Sequence, residues 1–346
     1  MTIFSGLRVP VIAAPMAGGI NNPEMVAAVI NSGGIGSFGF AYSTPKKIEE
    51  DLIATIDLCK VESPSINANF FVFQSVNKPS NEEVNLAAEI LKNLSGSKIT
   101  EIPLPKEPYY PELDDQLEPI WKIKPKYLTF HFGIPKQSII ARAKSLGIKV
   151  GITATSEREV NEIEAAGADF IVAQGIEAGG HRGIFDVNAY DERLSSKDLL
   201  LKIKFTTKLP IVLAGGIMTP NDVKEATLAG AHAVQMGSAF LTLKESTASP
   251  AHKRYLLNES TRGSAFTKGF SGRWAQGINN RFISEMAEKF VLPFPLQNTM
   301  TATIRQEALK NDDGEFQSLW CGSRYSLCQD MSVSEFMESI EKELQS

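Results

Sequence analysis

A (β/α)8 barrel of the TIM type is the fold class this α/β sequence predicts, and three observations predict it. Eight short apolar runs alternate with longer amphipathic segments, the pattern of a parallel sheet whose strands are covered by helices. The amphipathic segments open on capping residues and many close on glycine. Glycine and polar residues gather just after the apolar runs, at the end where barrels of this kind carry their active sites. Strand counting alone leaves a doubly wound sheet open.

The expected strands are VPVIAAP (9–15), GIGSFGF (34–40), SINANFF (65–71), KYLTFHF (126–132), KVGITA (149–154), DFIVAQ (169–174), PIVLAG (210–215) and HAVQMG (232–237). Helical patterns lie between them, such as PEMVAAVINSG, PKKIEEDLIATIDLC and TPNDVKEATLAG. Thr44-Pro45, Thr155-Ser156-Glu157 and Thr219-Pro220-Asn221 supply caps or a first-turn proline, and Gly33, Gly147, Gly167 and Gly230 supply stops. Two segments break the rhythm. Residues 95–125 form a proline- and acid-rich excursion after the third strand, expected near the site as a lid or an interface. Residues 244–346 read as a mostly helical extension packing on a barrel of residues 1–243.

Bulk composition excludes several function classes. The chain has 346 residues, 43% hydrophobic and 22% charged, with a net charge of -5. No basic excess exists to neutralise phosphates, so no nucleic-acid partner is expected. Cys59, Cys321 and Cys328 are too scattered for a disulfide framework, and no histidine beside them completes a metal site. The first residues, MTIFSGLRVPVIAAPMAGG, read as neither a signal peptide nor a bilayer span. A cytoplasmic protein without a membrane partner is the expectation. Gly34-Ile35-Gly36-Ser37-Phe38-Gly39 matches GxGxxG, but it follows a helix and lies in a strand, the wrong context for a dinucleotide fingerprint.

The chemistry is expected at the strand ends. Gly215, Gly216, Gly237 and Ser238 follow the seventh and eighth strands, where backbone N–H groups hold phosphate in many such barrels. His181 lies past the sixth strand in QGIEAGGHRG, whose glycines bring bare backbone close to a ligand, and is the candidate catalytic residue. His131 ends the fourth strand, where a site-facing and a structural position are both open. His232 opens the eighth strand and reads as structural, His252 in AHKRY as solvated, and Glu177 as a loop-holding carboxylate.

Together, APMAGG, INANFF, LTFHFG, QGIEAGGHRG, LPIVLAGGI and AVQMGSAF resemble the FMN-dependent nitronate monooxygenases, formerly 2-nitropropane dioxygenases. FTKGFSGRWAQGINNRF (266–282), LPFPLQNTMTA and LWCGSRYSL extend the resemblance over nearly the whole chain, with Gln276 standing where that family more often has a basic residue. The resemblance implies FMN held non-covalently in the barrel. Pro15 and Met16 would back the flavin ring, and Asn69 and Gln174 would reach its edge. Gly179, Gly180, Gly215, Gly216, Gln235, Met236, Gly237 and Ser238 would follow the ribityl chain and phosphate. It further implies oxidation of a small anionic nitronate, such as propionate 3-nitronate, by O2 to a carbonyl compound and nitrite through one-electron transfer to FMN. His181 would be the active-site histidine and His131 a substrate contact. The same turn and barrel also resemble FMN-type enoyl-acyl-carrier-protein reductases and NAD(P)H:quinone reductases, which take electrons from a nicotinamide. A non-enzymatic flavin-binding protein is the remaining alternative, against which the intact His181 turn argues.

Overall fold

The computed structural model describes residues 3–4, 6–96 and 101–346; residues 97–100 of the excursion lie outside them. Eight parallel strands form the barrel: β1 Val11–Ala13, β2 Gly36–Gly39, β3 Ile66–Phe71, β4 Tyr127–His131, β5 Lys149–Ala154, β6 Phe170–Gln174, β8 Ile211–Ala214 and β9 Ala233–Met236, with a two-residue strand β7 Gly180–His181 outside it. Their order is β1-β9-β8-β6-β5-β4-β3-β2, and a parallel bridge between Ile12 and Ile35 closes the ring. Each run predicted from the sequence contains one barrel strand; KVGITA matches β5 end to end, and the others are trimmed by one to four residues where the ends turn toward the loops.

The strands are apolar on both faces for the reason that sheets inside barrels are. Outward residues such as Val11, Phe38, Val150 and Ile171 pack beneath the helices. Inside, Phe4 lies edge-on to Phe170 at 5.3 Å and stacks near Tyr127 at 5.9 Å, closing the N-terminal mouth. Gly151 is obligatory in that layer, since a methyl group there would occupy the Phe170 ring. The barrel is therefore filled from below and open to ligands only above.

Helix starts follow the local chemistry that the sequence shows. Asn22, Thr44, Ser156 and Thr219 each accept a backbone N–H at the first turn of the helices Pro23–Asn31, Pro45–Leu58, Glu157–Ala165 and Pro220–Leu228. The excursion holds two short helices, Leu113–Gln116 and Glu118–Ile123. It reaches the open mouth through Tyr110, whose ring stacks on Phe73 at 4.7 Å.

The C-terminal extension, read as helical and irregular, also carries an antiparallel hairpin, β10 Ser264–Thr267 and β11 Ala275–Ile278. β11 pairs in turn with β7, setting Ala275 opposite His181. Glycine and polar residues interrupt the alternation in SAFTKGFSGRWAQGI, which hides two four-residue strands, the second of which also pairs with β7 far away in sequence. The last helix, Val333–Gln345, buries Val333, Phe336, Met337 and Ile340 against the barrel and docks Lys224 of the helix Pro220–Leu228 on Glu343 at 3.0 Å. It thus takes the place of the eighth barrel helix. Among the described residues no helix is long and apolar enough to cross a membrane.

Candidate active site

The strand ends and the extension enclose a cavity of about 630 Å³. It brings together Pro15, Met16, Asn69, His131, Gln174, Gly179, Gly180, His181, Gly215, Gly216, Gln235, Gly237 and Ser238, every residue expected there except Met236. The Met236 side chain faces outward into the core, as strand alternation demands beside an inward Gln235, and its carbonyl accepts the Ala14 N–H at 2.8 Å.

The floor is held by hydrogen bonds that the sequence reading did not include. Asn21 accepts the Met16 N–H at 2.8 Å and donates to Ala14 O at 3.2 Å, fixing the turn after β1. Asn69 donates to Thr129 Oγ1 at 3.0 Å, Thr129 donates to Asn67 at 3.0 Å, and the side-chain oxygen Oδ1 of Asn69 has no partner among the described residues. Gln174 uses both ends of its amide on one loop: it donates to His181 O at 3.1 Å and accepts the Gly183 N–H at 2.7 Å. His131 Nε2 lies 3.2 Å from the same His181 carbonyl and donates to it, which fixes the proton on that nitrogen.

Behind them, Arg182 is 3% exposed and forms a two-point pair with Asp191, both bonds 2.8 Å, while donating to Gln174 O at 2.6 Å. Glu159 is fully buried and accepts from Thr155 N, Thr155 Oγ1 and Phe185 N, tying the end of β5 to the segment after His181. Glu177 holds the turn as expected, accepting the Ser196 N–H at 2.9 Å. Gln276, with its amide nitrogen turned toward the turn, donates to Ile176 O and Ala178 O, both at 3.0 Å. A basic side chain would donate to the same carbonyls, which is why glutamine serves in its place.

His181 sits on this frame with its ring on the cavity wall. Its Nε2 is 2.9 Å from Ser271 Oγ, and the rings of Phe71, Phe132, Phe294 and Trp320 surround it at 5.6–6.1 Å. Burial above all pushes its pKa down to about 3, and His131, Arg273 and Arg305 push in the same direction. The imidazole is therefore neutral at physiological pH, with Nδ1 free of any partner among the described residues. Arg273 lies behind the box, 3.8 Å over the Phe132 ring, and donates to Ile184 O. Its Nε is buried without a partner among the described residues, and Phe132 itself is held at φ +76, a strained backbone of the kind found at functional sites.

Sequence reasoning missed Ser271, Arg273, Arg305 and the aromatic box: Ser271, Arg273, Phe294, Arg305 and Trp320 come from the extension, and Phe71 and Phe132 end strand runs whose apolar residues read as core. The SGR segment, Ser271-Gly272-Arg273, was the one available signal. His232 accepts the Ile211 N–H at 3.1 Å and is structural, as expected. His252 corrects the reading. It is 4% exposed, not solvated, because the helix Pro250–Asn258 turns it inward to Trp320 O at 3.1 Å. Burial pushes its pKa down to about 4.

A depressed histidine contributes stability above its unfolded pKa of 6.5 and loses it as pH falls toward the folded value. His252 is expected to cost about 2 kcal/mol of stability between pH 7.5 and 5. Denaturant titrations of wild type and His252→Gln at both pH values check this; parallel losses in the two proteins would contradict it.

An anionic group fits the wall opposite. The N–H groups of Gly216 and Gly237 have no partner among the described residues, and Ser238 opens a short helix there. Gly215 and Gly216 have φ of +110° and +71°, which lets their backbone face inward. Arg324 closes this corner, bonded to Gly216 O at 2.6 Å and Asp222 at 2.9 Å.

A closed (β/α)8 barrel with a buried neutral histidine across from an open backbone cradle has the form of a barrel enzyme's active site. A family model described as "Nitronate monooxygenase" matches residues 2–343, and the chain belongs to that family. A Staphylococcus aureus (strain MRSA252) protein named "Probable nitronate monooxygenase" is 36% identical over 343 residues, 98% of this chain and 95% of its relative. The crystal structure of a nitroalkane oxidase from Streptomyces ansochromogenes superposes with a TM-score of 0.92 at 29% identity, covering 99% of this chain and 97% of that one. FabK from Thermotoga maritima, with a TM-score of 0.75 at 23% identity over 99% and 94% of the two chains, shares the fold.

Proposed function

We propose that this chain oxidises small alkyl nitronates, such as propionate 3-nitronate, with O2 to a carbonyl compound and nitrite, using FMN bound in the strand-end cavity. The observation that carries the reading is the neutral His181, held by Ser271 and boxed in aromatic rings, within reach of the positive charge of Arg273. Such a site favours a compact anion and excludes water, and a neutral imidazole there can donate to a nitro oxygen or accept a proton.

The residues present suit FMN. Gly216, Gly237 and Ser238 would hold its phosphate, with Gly179, Gly180, Gly215 and Gln235 along the ribityl chain. Pro15 and Met16 would back the ring, and the open Asn69 oxygen and the spare Gln174 hydrogen would meet its edge. When bound, the flavin supplies the one-electron chemistry, and the protein supplies position and electrostatics. His181 would donate to the nitro oxygens of a nitronate, or take the α-proton of a neutral nitroalkane at its unpaired nitrogen. His131 and Gln174 would keep the His181 backbone in place, and His131 would also form part of the substrate wall.

Oxygen uptake and nitrite release test the proposal directly. Flavin-loaded protein is expected to consume O2 and release nitrite with propionate 3-nitronate, without NADH or NADPH. Turnover that requires a reduced nicotinamide, with no nitrite formed, would move the assignment to the reductases.

A further inference from the structure

We propose that Arg305 is a specificity residue of this cavity, pairing with a carboxylate on the substrate at a position separate from the nitro group at His181. The inference rests on the nitronate reading and deepens it by naming the residue that would select nitronates bearing a carboxylate over those without one.

The helix Ala302–Lys310 turns Ala302, Arg305, Gln306 and Leu309 onto the cavity, the i, i+3, i+4, i+7 face. Arg305 is fixed along one edge only. Its Nε donates to Thr301 Oγ1 at 3.2 Å, and its Nη2 donates to Asn298 O at 2.7 Å and Asn298 Oδ1 at 2.9 Å. Thr301 is anchored in turn on Phe270 O at 2.6 Å. The other guanidinium nitrogen, Nη1, has no hydrogen-bond partner among the described residues.

Arg182, Arg262 and Arg324 each have a carboxylate within ion-pair distance; Arg305 has none among the described residues. A held guanidinium without a counter-charge in a partly desolvated wall is costly, and an arriving anion relieves that cost. Its free Nη1 can donate to a carboxylate oxygen. The charge of Arg305 is felt at Tyr42, which follows β2, and at His181, whereas the open Gly216 and Gly237 N–H groups follow β8 and β9. Arg305 therefore belongs to the His181 side of the cavity. Tyr42 lines the same cavity with a hydroxyl that has no partner among the described residues and can serve as a second donor.

Arg305→Gln and Arg305→Lys test the assignment with propionate 3-nitronate and with propyl 1-nitronate, which lacks the carboxylate. Arg305→Gln is expected to lower kcat/KM for propionate 3-nitronate roughly 30-fold, through KM, and to change propyl 1-nitronate less than about 3-fold. Arg305→Lys should recover part of the loss. Equal losses on both substrates, or loss of bound flavin from Arg305→Gln, would overturn the proposal. Succinate, a carboxylate without a nitro group, provides a readout independent of turnover. It should raise the Tm of flavin-loaded wild type and leave that of Arg305→Gln unchanged. If the wild type oxidises neither nitronate, the proposed function fails and succinate still decides the role of Arg305: selective stabilisation of wild type supports it, and no selectivity overturns it.

Discussion

Replacing His181 by asparagine is expected to lower kcat/KM for a neutral nitroalkane by about 10²- to 10⁴-fold, with flavin retained. The size follows from the proton-accepting role, since the imidazole is neutral with Nδ1 unpaired and its backbone is fixed by His131 and Gln174. A preformed nitronate has already lost its α-proton. Its rate should fall only about 10-fold, the worth of one hydrogen bond to a charged group. Because burial places the pKa of His181 near 3, activity on the nitroalkane should not fall between pH 8 and 6 through protonation of this residue in the free enzyme. Steady-state kinetics on both substrates check the split. Equal losses on the two would contradict the base role and leave His181 as a hydrogen-bond donor only.

The second large effect is structural and falls on flavin binding. A Cβ on Gly179 would lie 2.5 Å from Gly322 N and closer still to Cys321 C. Both are backbone atoms held from other directions: Gly322 N donates to Ser238 Oγ at 2.8 Å, and Ser323 N donates to Glu177 O at 3.0 Å. Neither neighbour can rotate away, so Gly179→Ala must push the His181 turn and segment 321–323 apart. A loss of about 3 kcal/mol in stability is expected, with at least a roughly 10-fold weaker hold on FMN. Gly6→Ala, where the added methyl meets nothing within 4 Å, is the control. Thermal melts and flavin equilibrium dialysis measure both quantities. A Gly179→Ala protein as stable and as flavin-replete as the control would contradict the clasp.

The barrel was legible because each strand is a local object, a short apolar run bounded by a cap or a glycine. Runs such as IVLAGG and FIVAQG bear both the strand and the bend that follows it. The cavity floor was legible for the same reason, since strand ends are also sequence positions. Met236 faces outward because alternation places Gln235 inward, a consequence that the motif alone does not display. The walls were not legible. Ser271, Arg273 and Trp320 meet His181 only because β11 pairs with β7, a contact between residues about ninety apart. His252 illustrates the limit best. Its neighbours Lys253 and Arg254 are polar, yet the helix phase turns its ring inward onto a carbonyl from residue 320.

The central claim is that the cavity holds a flavin that accepts electrons from a nitronate. An anaerobic absorbance spectrum of the FMN-loaded protein, before and after addition of propionate 3-nitronate, tests it most directly. The account predicts a flavin spectrum that changes on adding the nitronate alone. A flavin spectrum indifferent to nitronate but bleached by NADH or NADPH, or a protein that binds no flavin, would contradict it.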